Sequence, residues 1–308
     1  MKEKRILITG ANGFLGKHVI QAYQDATIFA NPSSYYLFTP SSKQFDLTRL
    51  DMTEAMFLKY SPNIILHMAA VCGGIGANKD RPADFIHLNT QMTSNIFECA
   101  LRYDIEYMYT LGSVCSYPCD CPVPFKEDDI WNGFPEVTNA PYGIAKRHQL
   151  MMQEAFRTQY GLKGCHFIPV NMYGEQDDFD LKTSHVIPAL IRKFVEAKEK
   201  GEKEVEVWGT GEATREFLYV GDCAEALVKA LINLFDYDKP INLGTGADIS
   251  IKDLADKIRT LTGFTGSIIY RGDKVINGQP KRRLDVSRAK DVLKWEAKIN
   301  LDDGLKKL

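Results

Sequence analysis

The chain has little that would tie it to a membrane, a nucleic acid or a disulfide scaffold. No apolar run in its 308 residues approaches the roughly 20 residues of a membrane-spanning helix, so no membrane partner is expected. The net charge is only −2, which gives neither nucleic acid nor an anionic surface a reason to bind. The early basic residues Lys2, Lys4 and Arg5 are interrupted by Glu3 and lead straight into a strand-like run, so no signal peptide is expected. Seven cysteines, an odd and scattered set, argue against a disulfide framework and for a reducing, cytoplasmic setting. Cys115, Cys119 and Cys121 lie close together, but no histidine or fourth cysteine stands near them, and no metal site is expected. Internal repeats and low-complexity tracts are lacking too. What remains is an ordinary globular composition, 44% hydrophobic and 25% charged, in a chain long enough to bury a substantial core.

The N-terminal half alternates strand and helix. Residues 5–9 form a short apolar run suited to a buried parallel strand, and 14–24 follow with helical spacing. Residues 35–38, 64–68, 106–112 and 165–169 read as further strands, 83–102 and 142–160 as long helices. The proline- and acid-bearing stretch 119–135 reads as a loop. After Asn171 the rhythm changes, with helices predicted at 186–200 and 222–234, the latter capped by Asp222. A strand is predicted at 205–208, and shorter pieces fall at 241–242, 251–261 and 267–270. The pattern predicts an α/β fold: a doubly wound parallel sheet of the Rossmann type with a smaller α/β substrate lobe. Residues 1–170 are expected to form the dinucleotide-binding part, with returning segments near 214–245; 171–213 and 246–308 are expected to form the lobe.

Two motifs carry the chemistry. Gly10, Gly13 and Gly16 stand where the first strand turns into a helix, with Asn12, Phe14 and Leu15 between them. Glycine lets the backbone approach a pyrophosphate, whose charge the helix N-terminus stabilises. The second strand then ends Phe38-Thr39-Pro40-Ser41-Ser42-Lys43, without the acid that would bind a ribose diol and repel a 2′-phosphate. Ser41, Ser42 and Lys43 suit the phosphate instead, so NADP(H) is the expected cofactor. Asp46, a little further on, reads as a cap or an adenine contact. The second motif is Tyr142-Gly143-Ile144-Ala145-Lys146, a phenol and an ammonium one helical turn apart. The ammonium is expected to lower the phenol's pKa, so that the phenol exchanges a proton with a substrate oxygen. Ser113 adds a hydroxyl at a strand end, and Cys115 would share its face if the backbone stays extended.

Together the glycine loop, Gly112-Ser113 and Tyr142-x-x-x-Lys146 resemble the extended short-chain dehydrogenase/reductase family, which acts mostly on nucleotide sugars. The stretches 71–75, 82–86, 112–118, 184–190 and 207–211 look like the GDP-L-fucose synthase branch of it, and the similarity runs from residue 4 to about 305. The resemblance implies reduction of the C4 ketone of a GDP-linked 4-keto-6-deoxy sugar. It makes Ser113, Tyr142 and Lys146 the reductase residues, with Cys115 as base and His185 as acid in C3/C5 epimerisation. Tyr142, Lys146 and His185 are expected to touch the cofactor as well. Asn171, Val186, Lys193, Trp208, Arg215 and Arg282 are expected to hold the substrate, the arginines through charge-assisted bonds to its phosphates. Helices 83–102 and 142–160 match a pair that forms an intersubunit bundle in many relatives, which implies a homodimer. Val114 departs from the branch, which usually has a small polar residue there, and is expected to alter how the sugar is held. A GDP-4-keto-6-deoxy-heptose 4-reductase without epimerase activity is a second reading of the same residues, and an NADP-sensing binding module without catalysis a distant third.

Overall fold

A computed structural model describes residues 3–27, 35–181, 183–272 and 278–308; Lys2 falls outside them. In chain order the strands are β1 (Lys4–Thr9), β2 (Tyr35–Phe38), β3 (Ile64–His67), β4 (Tyr107–Leu111), β5 (Lys163–Pro169) and β6 (Asn171–Tyr173). Then come β7 (Glu204–Trp208), β8 (Thr214–Tyr219), β9 (Ile241–Leu243), β10 (Asp248–Ser250), β11 (Ser267–Arg271) and β12 (Lys281–Arg282). The helices are α1 (Phe14–Thr27), α2 (Leu50–Tyr60), α3 (Ile75–Asp80), α4 (Pro82–Arg102) and α5 (Ala140–Tyr160). They continue with α6 (Val186–Lys200), α7 (Val220–Ile232), α8 (Ile251–Thr262) and α9 (Leu301–Leu305).

Among the described residues the principal sheet has six parallel strands in the order β2-β1-β3-β4-β5-β9. Its inner strands are apolar on both faces because helices cover both. Ile6 and Ile8 of β1 point into one core with Leu15 and Val19 of α1 and Leu227 and Leu231 of α7. Leu7, between them, points into the other, with Met56 and Phe57 of α2 and Ile96 and Phe97 of α4. This alternation is the doubly wound arrangement predicted. Strand order reverses between β1 and β3, which opens a crevice at their carboxyl ends. Leu284, Ala289, Leu293 and Trp295 add to the first core from the far end of the chain.

The smaller lobe is built on β8, which pairs with β6, β10 and β12, and on the β7–β11 pair. Strand β7 alternates: Val205 and Val207 are buried while Glu204, Glu206 and Trp208 face outward. Two local expectations are corrected. Asp222 does not cap α7, whose N-cap is Tyr219; it lies in the first turn, where its Oδ2 accepts from the Lys298 and Ile299 amides at 2.8 Å each. The carboxylate satisfies the incoming C-terminal segment instead of its own helix. The third strand ends at His67, one residue earlier than expected, and Met68 N makes the last bond across to β1, to Thr9 O at 3.2 Å.

Candidate active site

The first side of the crevice is the glycine loop. Gly10 has φ +74°, and a Cβ there would lie 2.7 Å from Ala69 N; at Gly16 it would lie 2.3 Å from Gly10 O. The loop is therefore drawn tight against β3 and onto the start of α1, and Asn12 and Gly13 stay exposed at its tip. Helix α1 has no acid in its first turn, and the Phe14, Leu15 and Gly16 amides begin it, a setting that suits an anion. Beyond β2, the amides of Gln44 and Phe45 close a turn onto Ser41 O at 3.0 Å, and Ser41 N and Oγ donate to Gln44 Oε1 at 3.0 and 3.3 Å. Ser42 and Lys43 stand exposed on that turn. Asp46 accepts from Thr48 N and Oγ1 at 3.0 and 2.7 Å, which occupies it locally and holds its carboxyl below the usual range; Arg49 N-caps α2. The residues present fit a dinucleotide whose ribose bears a phosphate.

The second side carries the reacting groups. After β4 the chain does not stay extended: residues Val114–Ser116 form a 3₁₀ turn, with Cys115 N donating to Ser113 Oγ at 3.2 Å. Cys115 thus reaches the site by a turn rather than by strand alternation. Val114 turns inward and is buried in the principal core, so it does not face a sugar. Helix α5 lies close against this turn, since a Cβ on Gly143 would sit 2.3 Å from Cys115 O. That close approach puts Tyr142 within hydrogen-bonding reach of Ser113. Burial pushes the Tyr142 phenol well above its ordinary range, the Cys72 and Cys115 thiols add to the rise, and the Ser113 bond opposes it. The expected lowering by Lys146 does not set the phenol's charge. The ammonium, 5.8 Å from the ring centre, donates to Leu111 O at 2.8 Å and to Gln149 Oε1 at 3.4 Å, and burial brings it down to about 8. A phenol that keeps its proton is the form that can donate one.

His185 enters from the smaller lobe as the N-cap of α6, without a side-chain capping bond, and Val186 is the first residue of the helix. The preceding segment touches the turn after β3: Gly74 N donates to Thr183 O at 3.3 Å. Cys72, on that turn, is open to solvent yet enclosed by protein on most sides, as a group lining a cleft must be; burial raises its thiol. His185 has the same character, and burial lowers its imidazole against the opposing charge of Asp178. Other histidines differ. His67 and His166 are buried, bond Thr9 and Thr110 at 2.7 and 2.8 Å, and are held at about 3, first by burial and then by the Lys146 charge; they are core groups.

From the third side Arg282 reaches Cys115, its Nη1 3.9 Å from Sγ, while Nε donates to Gln279 Oε1 at 2.7 Å. Gln279 donates in turn to Pro118 O and Cys119 O at 2.9 and 2.8 Å, which ties β12 to the loop after Cys115. Arg215 on β8 donates to Thr214 O at 2.7 Å and feels both Arg282 and Cys115; burial first, then Arg282, brings it to about 10. Asn171 Nδ2 donates to Glu216 O at 3.5 Å. Lys193 and Trp208 meet on the exposed face of β7: the ammonium lies 5.2 Å from the indole ring centre and donates to Glu206 O at 2.9 Å. The structure therefore gathers Ser113, Cys115, Tyr142, Lys146, Arg215 and Arg282 in one place, and sets the Lys193–Trp208 pair on the lobe. Among the described residues no group of three His, Cys, Asp or Glu side chains is placed to hold a metal.

With this geometry in place, comparison with known proteins decides the family. Residues 6–244 match the NAD dependent epimerase/dehydratase family. The chain belongs to that family. Within it, the GDP-L-fucose synthase of Sinorhizobium fredii is 38% identical over 306 residues, covering 99% of this chain and 94% of that protein. A GDP-6-OMe-4-keto-L-xylo-heptose reductase from C. jejuni superposes with a TM-score of 0.89 at 27% identity, covering 100% of this chain and 97% of that one. The GDP-L-fucose synthetase of Naegleria fowleri bound to NADP gives 0.87 at 26% identity, covering 100% and 92%.

Sequence reasoning gave no role to three residues that the structure places at this site. Cys72 lies in the loop after β3, within the stretch 71–75 singled out for its resemblance, but no role was assigned to it. Gly143 was hidden inside the Tyr142–Lys146 spacing. Gln279 meets Arg282 and the loop after Cys115 only in the folded chain, and nothing local marks it.

Proposed function

We propose that this protein uses NADPH to reduce the C4 ketone of a GDP-linked 4-keto-6-deoxy sugar and inverts the sugar at C3 and C5 before doing so. The observation that carries the reading is the convergence of Cys115, Ser113 and Tyr142 at one turn, with His185 on the facing lobe. A C4 ketone acidifies the protons on C3 and C5. Cys115, as thiolate, removes one; the electron pair moves onto the C4 oxygen, which Ser113 and Tyr142 stabilise by hydrogen bonds. His185, as imidazolium, returns a proton to the opposite face of the carbon. Bound NADP(H) supplies the hydride for C4. Tyr142 then gives its proton to the C4 oxygen, and Lys146 holds the phenol side of the cofactor crevice. Gly10, Asn12, Gly13, Phe14, Leu15 and Gly16 would hold the pyrophosphate, and Ser41, Ser42 and Lys43 the 2′-phosphate. Arg215, Arg282, Lys193, Trp208, Asn171 and Val186 would hold the GDP-sugar. Residues 1–170 with α7, β9 and the core-packed segment 284–295 form the cofactor side, and the lobe built on β8, with β6, β7, α6, β10, α8 and β11, the substrate side, of a cytoplasmic enzyme. Strand β8, expected to return to the principal sheet, carries the lobe's sheet instead, because it pairs with β6, β10 and β12.

Steady-state assays with six- and seven-carbon GDP-4-keto-6-deoxy sugars test this reading. NADPH oxidation is expected with a lower KM than NADH oxidation, and replacing Ser42 and Lys43 with alanine should narrow the preference by about tenfold, the worth of a few exposed charged contacts. No oxidation of NADPH with either sugar, or equal use of NADH by the unmodified protein, contradicts it. A second reading is reduction of a heptose without epimerisation; the C. jejuni relative, named a heptose reductase, supports the seven-carbon sugar. Faster turnover of the seven-carbon sugar would favour it.

Homodimerisation through α4 and α5 is part of the proposal. The two helices pack together and leave Ile86, Leu101, Met151 and Tyr160 exposed. Light scattering at micromolar concentration should give twice the chain mass of 34.8 kDa, and a single-chain mass would refute the dimer.

A further inference from the structure

The loop between β3 and α3 is pinned by two buried side chains that no step above uses. Asn89 of α4 accepts from Val71 N at Oδ1 and donates from Nδ2 to Val71 O, both at 2.9 Å. Asn78 of α3 donates from Nδ2 to Gly73 O and to Gly74 O, at 3.0 Å each. Displacing so short a loop would leave these buried amides without partners, which holds it in one place.

The pinned loop bears on the segment before His185 through Gly74. Gly74 N donates to Thr183 O at 3.3 Å, and a Cβ on Gly74 would lie 2.9 Å from Ser184 O. Thr183 N and Ser184 N donate in turn to Asp180 O at 3.1 and 2.7 Å, so that segment is a closed turn with His185 next in the chain. Gly74 has φ −65° and ψ 178°, a conformation open to alanine. Its missing side chain therefore serves the approach of Ser184 and not the backbone's own geometry. Gly76, two residues on, differs: a Cβ there would meet nothing within 4 Å.

We propose that Gly74 is a positioning residue: its bare backbone, held by Asn78, seats the Thr183–Ser184 turn and so sets how far His185 reaches toward the sugar carbon. The inference rests on the reading of His185 as the acid of epimerisation. Proton return to the face opposite Cys115 depends on that reach, whereas proton removal by Cys115 and reduction through Tyr142 do not. A misplacement of about 1 Å can cost on the order of 10²-fold in such a step. With His185 too far away, the enolate regains its proton from the Cys115 thiol on the original face, and the carbon keeps its configuration.

NMR of the product after turnover with NADPH in D₂O tests it in Gly74→Ala and Gly76→Ala, with His185→Gln as the reference for an absent acid. Gly74→Ala should cut the ratio of inverted to uninverted product at least about tenfold, toward that of His185→Gln, while NADPH is still oxidised and deuterium still enters. Gly76→Ala should leave the ratio unchanged. Asn78→Ala keeps Gly74 but frees the Gly73 and Gly74 carbonyls; it should lower the ratio too, and it decides the matter if Gly74→Ala does not fold. An unchanged ratio, or reduction and inversion lost in equal proportion, would overturn the proposal. If the unmodified protein gives no inverted product, the epimerase reading fails and the proton NMR signal of the His185 ring, assigned by its loss in His185→Gln, decides. A seat at Gly74 requires that signal to shift in Gly74→Ala and to stay in place in Gly76→Ala; a signal unmoved in both would end the proposal.

Discussion

Tyr142→Phe is expected to slow reduction by about 10²–10⁴-fold while NADPH still binds, because the substitution removes one proton and leaves the ring in place. The phenol packs edge-on against Phe85 with ring centres 6.0 Å apart, and a phenylalanine keeps that contact. What is lost is the hydroxyl that Ser113 holds beside the Cys115 turn. Since burial keeps the phenol protonated, the missing group is an acid and not a base, and raising the pH should not rescue the variant. Stopped-flow measurement of a single turnover, with NADPH affinity followed separately by fluorescence, isolates the chemical step. A variant retaining more than about half of the single-turnover rate would remove Tyr142 from the proton path.

Cys115→Ser is the other large effect, and it divides the two activities. A serine hydroxyl is far less acidic than a thiol, so removal of a carbon proton should fall by at least about 10³-fold. Reduction at C4 should survive, since Ser113, Tyr142 and Lys146 remain, and the product should keep the configuration of the starting ketone. Arg282, 3.9 Å from the sulfur, would still face the new hydroxyl. NMR of the product distinguishes the cases. Loss of reduction together with epimerisation would mean that Cys115 supports the whole site and not the carbon base alone.

The parallel sheet was legible because its strands are continuous apolar runs, and the cofactor loop because its glycines answer steric limits visible at Gly10 and Gly16. Helix α2 escaped prediction: its apolar residues are spread around it, with Leu58 exposed while Met56 and Phe57 are buried, it lacks a capping side chain, and packing of Met56 and Phe57 against the sheet fixes it. The condition that the backbone stay extended past Ser113 fails at the Val114–Ser116 turn, which the sequence did not signal because a 3₁₀ turn of three residues leaves no period to read. Val114 read as a specificity change and proved to be core, since a sequence does not say which way a turn residue points. The phenol's environment was misjudged for a related reason. Spacing gave the Lys146 ammonium, but burial sets the phenol, and the two thiols that add to it come from the loops that follow β3 and β4.

The most direct test of the account is the unmodified protein's complete turnover of GDP-4-keto-6-deoxy-mannose with NADPH in D₂O, followed by NMR of the product. The account predicts one NADPH oxidised per sugar, inversion at C3 and C5, and deuterium at both carbons. Oxidation of NADPH with no deuterium at either carbon would contradict the epimerase half and leave a plain C4 reductase; no oxidation at all would contradict the account entirely.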